Sequence, residues 1–184
     1  IEDMQRLGKP LGLEAEAIEG VNLNGERISS TCIRKYLESG DLDLASEALG
    51  RPYAISGKVV HGNEIGRSLG FPTANININR RVSPLLGVFA VKVRLDDGKF
   101  YQGIANVGYR PTINDHKVRS ILEVNLFDFE GELYGRTIYV YFIKKLRSEK
   151  KFTSLDELKK QLLLDKKCAQ VAFSKFICKT NNYQ

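Results

Sequence analysis

Six short segments rich in β-branched and aromatic residues follow one another in the middle of the chain, and no helical pattern separates them. They cover residues 55–60, 75–79, 88–95, 99–107, 120–127 and 136–143. Turn residues such as Asp97 and Gly98 lie between them. Such a series is typical of an antiparallel sandwich or barrel. Because closure removes exposed strand edges, we predict a mainly β fold, a small closed antiparallel Greek-key barrel of about six strands.

Both flanks of this predicted barrel carry helical patterns. After Thr153, apolar residues recur at helical spacing behind a capping box from Ser154 to Glu157, which predicts a C-terminal α-helix packed on the barrel. On the other flank, Ser30 and Asp41 are predicted to cap two short helices. We therefore divide the chain into an N-terminal α+β segment over residues 1–50 and a barrel with its C-terminal helix over residues 51–184.

The charge and the few cysteines narrow the class of protein. The formal net charge is +6, and eleven basic against four acidic residues lie between Lys144 and Lys179. A solvated helix face explains this excess of basic residues. Because the basic residues do not alternate with aromatic residues on the strands, we do not expect nucleic acid as a partner. Three cysteines without a CxxC pair favour a reducing, cytoplasmic setting. No apolar run approaches a membrane span, so no membrane partner is expected.

The segment from Val59 to Asn75 is too rich in glycine and proline for a helix or a regular strand. It reads VVHGNEIGRSLGFPTAN. Glycines let backbone N–H groups turn toward an anion and let a ligand approach closely. Thr73 and Asn75 place two neutral oxygens on one side of an extended chain, and Mg²⁺ accepts such oxygens beside phosphates. These residues alone leave two interpretations open: a phosphate-and-metal loop, or a turn that only joins two strands.

A single carboxylate interrupts the pattern of the segment SILEVNLF. In this segment Leu122, Val124 and Leu126 share one face of a strand, and Glu123 lies on the other face. The apolar set predicts a core-facing side. Glu123 is then either a solvated charge on the outside of the sheet or a general base in a cleft beside the barrel.

The glycine-rich segment resembles the signature of riboflavin kinases, H-G-x-x-x-G-R-x-L-G-F-P-T-A-N, found in the C-terminal half of bacterial bifunctional riboflavin kinase/FAD synthetases. The resemblance implies a riboflavin kinase barrel that transfers the γ-phosphate of ATP to the 5′-hydroxyl of riboflavin, with ADP and FMN as products. It implies Glu123 as the catalytic base. It implies Thr73 and Asn75 as ligands of Mg²⁺ or another divalent cation. The residues expected to bind ATP and its phosphates are Gly62, Gly66, Arg67, Gly70, Pro72, Thr73 and Asn75. An exposed loop cation is the competing interpretation of Arg67.

Two further segments match the same family. Residues 103–112 resemble its G-x-A-N-x-G-x-R-P-T motif, which implies Asn106 and Arg110 near the flavin; a plain hairpin loop is the competing interpretation. Residues 146–152 resemble its L-R-P-E-x-x-F motif, with Ser148 in place of proline, which implies Arg147 close to the isoalloxazine ring. A plain surface charge is the competing interpretation of Arg147. Because the chain has no tryptophan, tyrosine or phenylalanine must line the ring pocket.

The N-terminal segment carries a second resemblance. Residues 28–34 resemble the closing motif of the nucleotidyltransferase domain that precedes the kinase in the bifunctional enzyme. We therefore expect residues 1–50 to be the remnant of an FMN adenylyltransferase-like domain. No HxGH-type pair occurs, so adenylyl transfer is not assigned to this chain. Two alternatives to a riboflavin kinase stay open: a non-catalytic flavin- or nucleotide-binding module and, ranked last, a barrel that binds single-stranded nucleic acid.

Overall fold

The computed structural model describes residues 1–62, 65–78, 83–111 and 118–180. Eight strands are described: β1 (Asn22–Leu23), β2 (Glu26–Arg27), β3 (Ala54–Val60), β4 (Ala74–Asn77), β5 (Gly87–Arg94), β6 (Phe100–Pro111), β7 (Val118–Leu126) and β8 (Thr137–Arg147). The α-helices are α1 (Glu2–Gly8), α2 (Ser30–Ser39), α3 (Leu42–Leu49), α4 (Ile65–Ser68) and α5 (Leu155–Thr180), and a 3₁₀ turn covers Lys9–Leu11.

Strands β3 to β8 close into a six-stranded antiparallel barrel in the order β3-β4-β7-β6-β5-β8. The neighbours β8-β5-β6-β7 follow the spatial order that defines a Greek key, because β8 returns to pair with the first strand of a three-stranded meander. The predicted fold class and strand count are confirmed. Strand β8 runs beyond the predicted end at Ile143, because its pairing with β5 continues to Arg147.

The two faces of the barrel strands bury different sets of residues. The inward face forms the main core, in which Phe89, Val124 and Val140 are fully buried. On the outer face a smaller cluster joins β5, β6 and α5. Its buried members are Val88, Ala90, Ile104, Phe127, Ala169, Ala172 and Phe173. The predicted docking of the C-terminal helix on the barrel is therefore confirmed, and β5 and β6 are covered on both sides.

Helices α2 and α3 each have a short polar residue as N-cap and a glycine as C-cap. The N-cap of α2 is Ser29, whose hydroxyl accepts a hydrogen bond from the Cys32 backbone N–H at 3.2 Å. The prediction of Ser30 as this cap was wrong by one residue, because two adjacent serines offer the same chemistry. Asp41 caps α3 as predicted, through the Leu44 N–H at 3.2 Å.

Helices α2 and α3 contribute to the barrel core. Leu37, Leu42 and Ala45 are buried in the same hydrophobic cluster as the inward-facing residues of the barrel. The division of the chain at residue 50 stays a prediction. Among the described residues, no helix combines the length and the apolar character needed to cross a bilayer.

Candidate active site

Three polar side chains form a lateral row across adjacent strands. Asn75 on β4 lies directly opposite Glu123 on β7, and Glu123 lies directly opposite Asn106 on β6. Opposed residues of antiparallel strands have Cβ atoms about 4.5–5.5 Å apart and point to the same face. Because Leu122 and Val124 point into the core, the row lies on the outer face of the barrel.

The same row continues through β5 to Arg147 on β8. Val88 on β5 is paired with Asn106 on one side and with Arg147 on the other. A cavity of about 260 Å³ opens over this row, between the barrel, the loop before β4 and helix α5. Its lining residues are Gly66, Phe71, Thr73, Asn75, Val88, Ile104, Asn106, Glu123, Asn125, Arg147, Glu149, Lys150, Phe152, Leu158, Leu162 and Asp165.

The loop before β4 contains the short helix α4 (Ile65–Ser68), so the expectation that glycine and proline exclude a helix from this segment was wrong for these four residues. Gly70 has a φ of +81°, and the Phe71 N–H donates to the Gly66 carbonyl at 2.8 Å while the Gly70 N–H donates to the Arg67 carbonyl at 3.2 Å. This pair of bonds is a Schellman motif, which favours glycine at its left-handed position. The Pro72 carbonyl then accepts a bond from Asn125 Nδ2 at 2.7 Å. The loop is thus tied to β7 two residues from Glu123.

Close approach explains two other glycines of the loop. A Cβ added at Gly62 would overlap the side-chain amide of Asn75, and one added at Gly66 would overlap the Phe71 carbonyl. The absence of a side chain lets the chain at Gly62 lie against Asn75 of β4 and lets Gly66 lie against Phe71 within the loop itself. Contacts of these glycines with phosphates stay a prediction.

Arg147 is held by a buried carboxylate. Its Nε lies 2.9 Å from Asp165 Oδ1, and its Nη2 lies 2.7 Å from Asp165 Oδ2. Its Nη1 donates to the Ser148 carbonyl at 3.0 Å, and its guanidinium lies 5.8 Å from the centre of the Phe152 ring. Arg147 is therefore a paired, half-buried residue of the cavity wall.

The N-terminus of α5 is capped beside the same cavity. The Ser154 hydroxyl accepts a bond from the Glu157 backbone N–H at 3.2 Å. In return the Glu157 carboxylate accepts from the N–H of Thr153 at 3.1 Å. This backbone N–H, together with Lys150, holds the pKa of Glu157 below its ordinary value. The predicted capping box is confirmed, with its return bond shifted by one residue.

A second cavity of about 490 Å³ lies on the other side of Thr73. It is lined by Val59, Arg67, Pro72, Thr73, Ala74, Val124, Leu126, Phe129, Gly131, Glu132, Leu133 and Tyr134. The Tyr134 ring stacks on His61, with ring centres 3.8 Å apart and planes 23° apart. Thr73 is therefore common to both cavities.

The structure brings most of the predicted site residues together. Six of them line the first cavity: Gly66, Thr73, Asn75, Asn106, Glu123 and Arg147. Arg67 and Pro72 line the second cavity, Gly62 lies against Asn75, and Gly70 closes the helical turn. The backbone of Arg110 belongs to β6, but its side chain and Thr112 lie outside what the structure describes.

Asn125 and Asp165 are cavity residues that the sequence analysis did not select. The face that Asn125 shares with Glu123 was a usable signal, since the two residues are two apart on one strand. Asp165 carries no such local signal.

The side chain of Asn106 has an acceptor that is unpaired among the described residues. Its Oδ1 is buried without a hydrogen-bond partner in this part of the chain. Such an acceptor is suited to a donor on a ligand.

Comparison with known proteins decides the family. A family model described as Flavokinase, riboflavin kinase, matches residues 49–173, which is more than half of the chain. The chain belongs to the riboflavin kinase family. The match begins shortly before β3 and ends within α5, so it covers the barrel and both cavities.

Relatives of this riboflavin kinase family member are named bifunctional riboflavin kinase/FMN adenylyltransferases. The one from Haemophilus influenzae is 47% identical over 171 residues, which are 93% of this chain and 55% of the relative. The one from Escherichia coli K12 is 46% identical over 170 residues, 92% of this chain and 54% of the relative. The chain thus spans about half the length of these relatives.

A solved structure has the same fold. It is described as a macrolide-efflux protein from Streptococcus pneumoniae and is 36% identical, with a TM-score of 0.74. The match covers 83% of this chain and 50% of that chain.

Proposed function

We propose that this chain is a riboflavin kinase, which transfers the γ-phosphoryl group of ATP to the 5′-hydroxyl of riboflavin and gives ADP and FMN. One observation carries the proposal beyond family membership. Glu123 is flanked in register by Asn75 and Asn106, at the wall of a cavity that shares Thr73 with a second cavity. Two adjoining cavities with a carboxylate near their junction suit transfer between two bound substrates.

The first cavity suits riboflavin. Its wall is rich in apolar side chains, among them Phe71, Ile104 and Phe152, which match a flat aromatic ring. Two of its polar groups lie at one end of the row: the Oδ1 of Asn106, which has no hydrogen-bond partner among the described residues, and the guanidinium of Arg147, which is paired with Asp165. The phenylalanines support the expectation that phenylalanine or tyrosine replaces tryptophan at the ring.

The second cavity suits the nucleotide. Phe129 and Tyr134 offer aromatic surface for a base, and Arg67 offers positive charge for phosphates. Because Thr73 lines both cavities, the terminal phosphate would reach the first cavity at this residue. The flavin hydroxyl and the phosphate would then meet between Thr73 and Glu123.

The donor set fits Mg²⁺ held together with phosphates. Thr73 supplies a hydroxyl oxygen and Asn75 an amide oxygen, and both line the cavity. Within the described part of the chain, no group of three or more His, Cys, Asp and Glu residues could hold a metal by itself. Two neutral oxygens suit a cation whose other ligands are phosphate oxygens and water. When bound, the cation would neutralise charge on the β- and γ-phosphates.

In the proposed reaction Glu123 acts as the general base. Its carboxylate accepts the proton of the 5′-hydroxyl while the hydroxyl oxygen bonds to the γ-phosphorus. The bond from that phosphorus to the bridging oxygen breaks, and ADP leaves with the electron pair. Asn75 and Asn106 flank Glu123 on the two neighbouring strands. Phe152 and the α5 residues Leu158 and Leu162 form an apolar part of the cavity wall.

The test is FMN formation by this chain and by Glu123→Gln. The wild type is expected to form FMN from riboflavin, ATP and Mg²⁺. The variant is expected to lose about 10²–10⁴-fold in kcat, the usual contribution of a general base, while riboflavin binding is retained. Glu130→Gln is the control, because Glu130 is exposed and outside both cavities. Unchanged turnover in Glu123→Gln would remove this residue from the mechanism. Riboflavin binding without turnover in the wild type would favour a non-catalytic module.

For the full-length parent we propose a second step, adenylylation of FMN to FAD, by an N-terminal adenylyltransferase domain of which residues 1–50 are the end. The support is the name and the length of the relatives and the resemblance of residues 28–34. A cytoplasmic location stays a prediction that rests on the three widely spaced cysteines.

A further inference from the structure

Asp165 is a buried carboxylate that faces the first cavity from helix α5. It is only 3% exposed and belongs to the cavity wall. Both of its oxygens accept bonds from Arg147, and Oδ1 also accepts one from Gln161 Nε2 at 2.9 Å. Gln161 lies one turn earlier on the same helix, so two helix residues and one strand residue form a connected polar cluster. The loop and strand residues proposed for phosphate transfer do not include it.

The cluster fixes the plane and the direction of the Arg147 guanidinium. A guanidinium has five N–H groups in a rigid planar fork. Asp165 accepts hydrogen bonds from the N–H of Nε and from one N–H of Nη2, and the Ser148 carbonyl accepts one from an N–H of Nη1. Among the residues that the structure describes, no acceptor is recorded for one N–H on each terminal nitrogen, and these two N–H groups are available to a ligand. Because Asp165 balances the charge, Arg147 offers directed donors rather than a net positive charge.

We propose that Asp165 is a positioning residue for riboflavin, which it recognises through Arg147. This inference rests on the proposed function. A charge-balanced arginine with two directed donors matches the neutral carbonyl groups of a flavin ring better than a phosphate, which gains more from an arginine whose charge is not already balanced by a carboxylate. The nucleotide side of the site, at Thr73, lies on another part of the wall. Asp165 therefore acts on the affinity for riboflavin and hardly on that for ATP.

Helix α5 also has apolar contacts with the barrel that do not involve this ion pair. Ala169, Ala172 and Phe173 anchor the helix on the barrel through the outer cluster. A buried ion pair is in general weak support for stability, since the cost of removing two charges from water offsets their attraction. A role in ligand recognition explains why the pair lies in the cavity wall.

The first experiment compares Asp165→Asn with the control Asp96→Asn. Asp96 is an exposed carboxylate that also binds an arginine, Arg136, away from both cavities. Asp165→Asn is expected to raise the KM and the Kd for riboflavin about tenfold, the effect of one charge-assisted hydrogen bond, with the KM for ATP and kcat within about twofold. Asp96→Asn is expected to change none of them. An unchanged riboflavin Kd in Asp165→Asn overturns the proposal, and so does an equal rise in both KM values.

The second experiment separates action through Arg147 from a general structural role. In a double-mutant cycle with Arg147→Met, adding Asp165→Asn is expected to change the riboflavin Kd by less than about twofold. Additive losses overturn the proposal. If Asp165→Asn does not fold, Gln161→Ala is measured in its place. Gln161→Ala removes one hydrogen bond to Asp165 without changing any charge, so the riboflavin Kd is expected to rise about twofold to threefold. An unchanged Kd in Gln161→Ala then overturns the proposal.

The two proposals fail in different ways. A wild-type chain that forms no FMN contradicts the proposed function. Flavin fluorescence still measures the riboflavin Kd of that chain and of the variants, so the effect of Asp165 is decided without turnover. A wild-type chain that does not bind riboflavin overturns both proposals. If the wild type forms FMN and the riboflavin Kd is the same in the wild type and in Asp165→Asn, only the further inference is overturned.

Discussion

The bond from Asn125 Nδ2 to the Pro72 carbonyl ties the glycine-rich loop to strand β7. Asn125→Ala removes this bond at 2.7 Å and leaves the strand ladder and Glu123 in place. A hydrogen bond of this kind contributes about 0.5–1.5 kcal/mol net. Because Thr73 follows Pro72 directly, the loop conformation that meets the nucleotide is destabilised by this amount. The KM for ATP is therefore expected to rise about twofold to tenfold, with kcat nearly unchanged.

The assay is steady-state FMN formation with ATP varied at saturating riboflavin. Asn125→Asp sharpens the test, because it keeps the shape but sets an acceptor against the Pro72 carbonyl, and its KM for ATP is expected to be at least that of Asn125→Ala. Asn22→Ala, in the exposed N-terminal hairpin, is the control. A wild-type KM for ATP in both Asn125 variants would refute the role of this bond in holding the loop.

Two further predictions concern stability. Phe89 is fully buried in the barrel, whereas Phe100 is 51% exposed on its surface. Phe89→Ala is expected to lower the free energy of unfolding by about 3–5 kcal/mol, and Phe100→Ala by less than about 1 kcal/mol. Equal shifts of the urea midpoint in the two variants would contradict the faces assigned to these residues. The lowered pKa of Glu157 means that its carboxylate stabilises the fold above its ordinary pKa of 4.5 and loses this effect as the pH falls through the lower folded pKa. Glu157→Gln is expected to melt below the wild type at neutral pH and to converge with it in acid; a gap between the thermal midpoints that is constant with pH would argue against the cap.

Local patterns were sufficient to predict the strands and one face of the site. The alternation around Glu123 placed it opposite the core side of its strand, and the structure confirms that Leu122 and Val124 are buried there. A repeat of two residues is a local property, so it can be read without knowing the partner strand. The cap of α2 was misplaced by one residue, because Ser29 and Ser30 are equivalent in any local rule.

The register of the site could not be predicted in this way. Asn75 and Asn106 are far from Glu123 along the chain, and only the pairing of β4, β7 and β6 sets them side by side. A shift of one residue in either ladder would turn a flanking amide to the other face. The same holds for Arg147, whose partner Asp165 depends on where α5 docks on the barrel.

The order of residues along this chain contains its turn chemistry, its two repeat periods and the motif that resembles riboflavin kinases. These are short-range properties, because backbone preferences and side-chain alternation act over a few neighbouring residues. Closure of the barrel, the Asn75–Glu123–Asn106 row and the buried pair of Arg147 and Asp165 arise only when distant segments pack. They depend on long-range pairing and burial, whose free energy belongs to the folded molecule as a whole and not to any one segment.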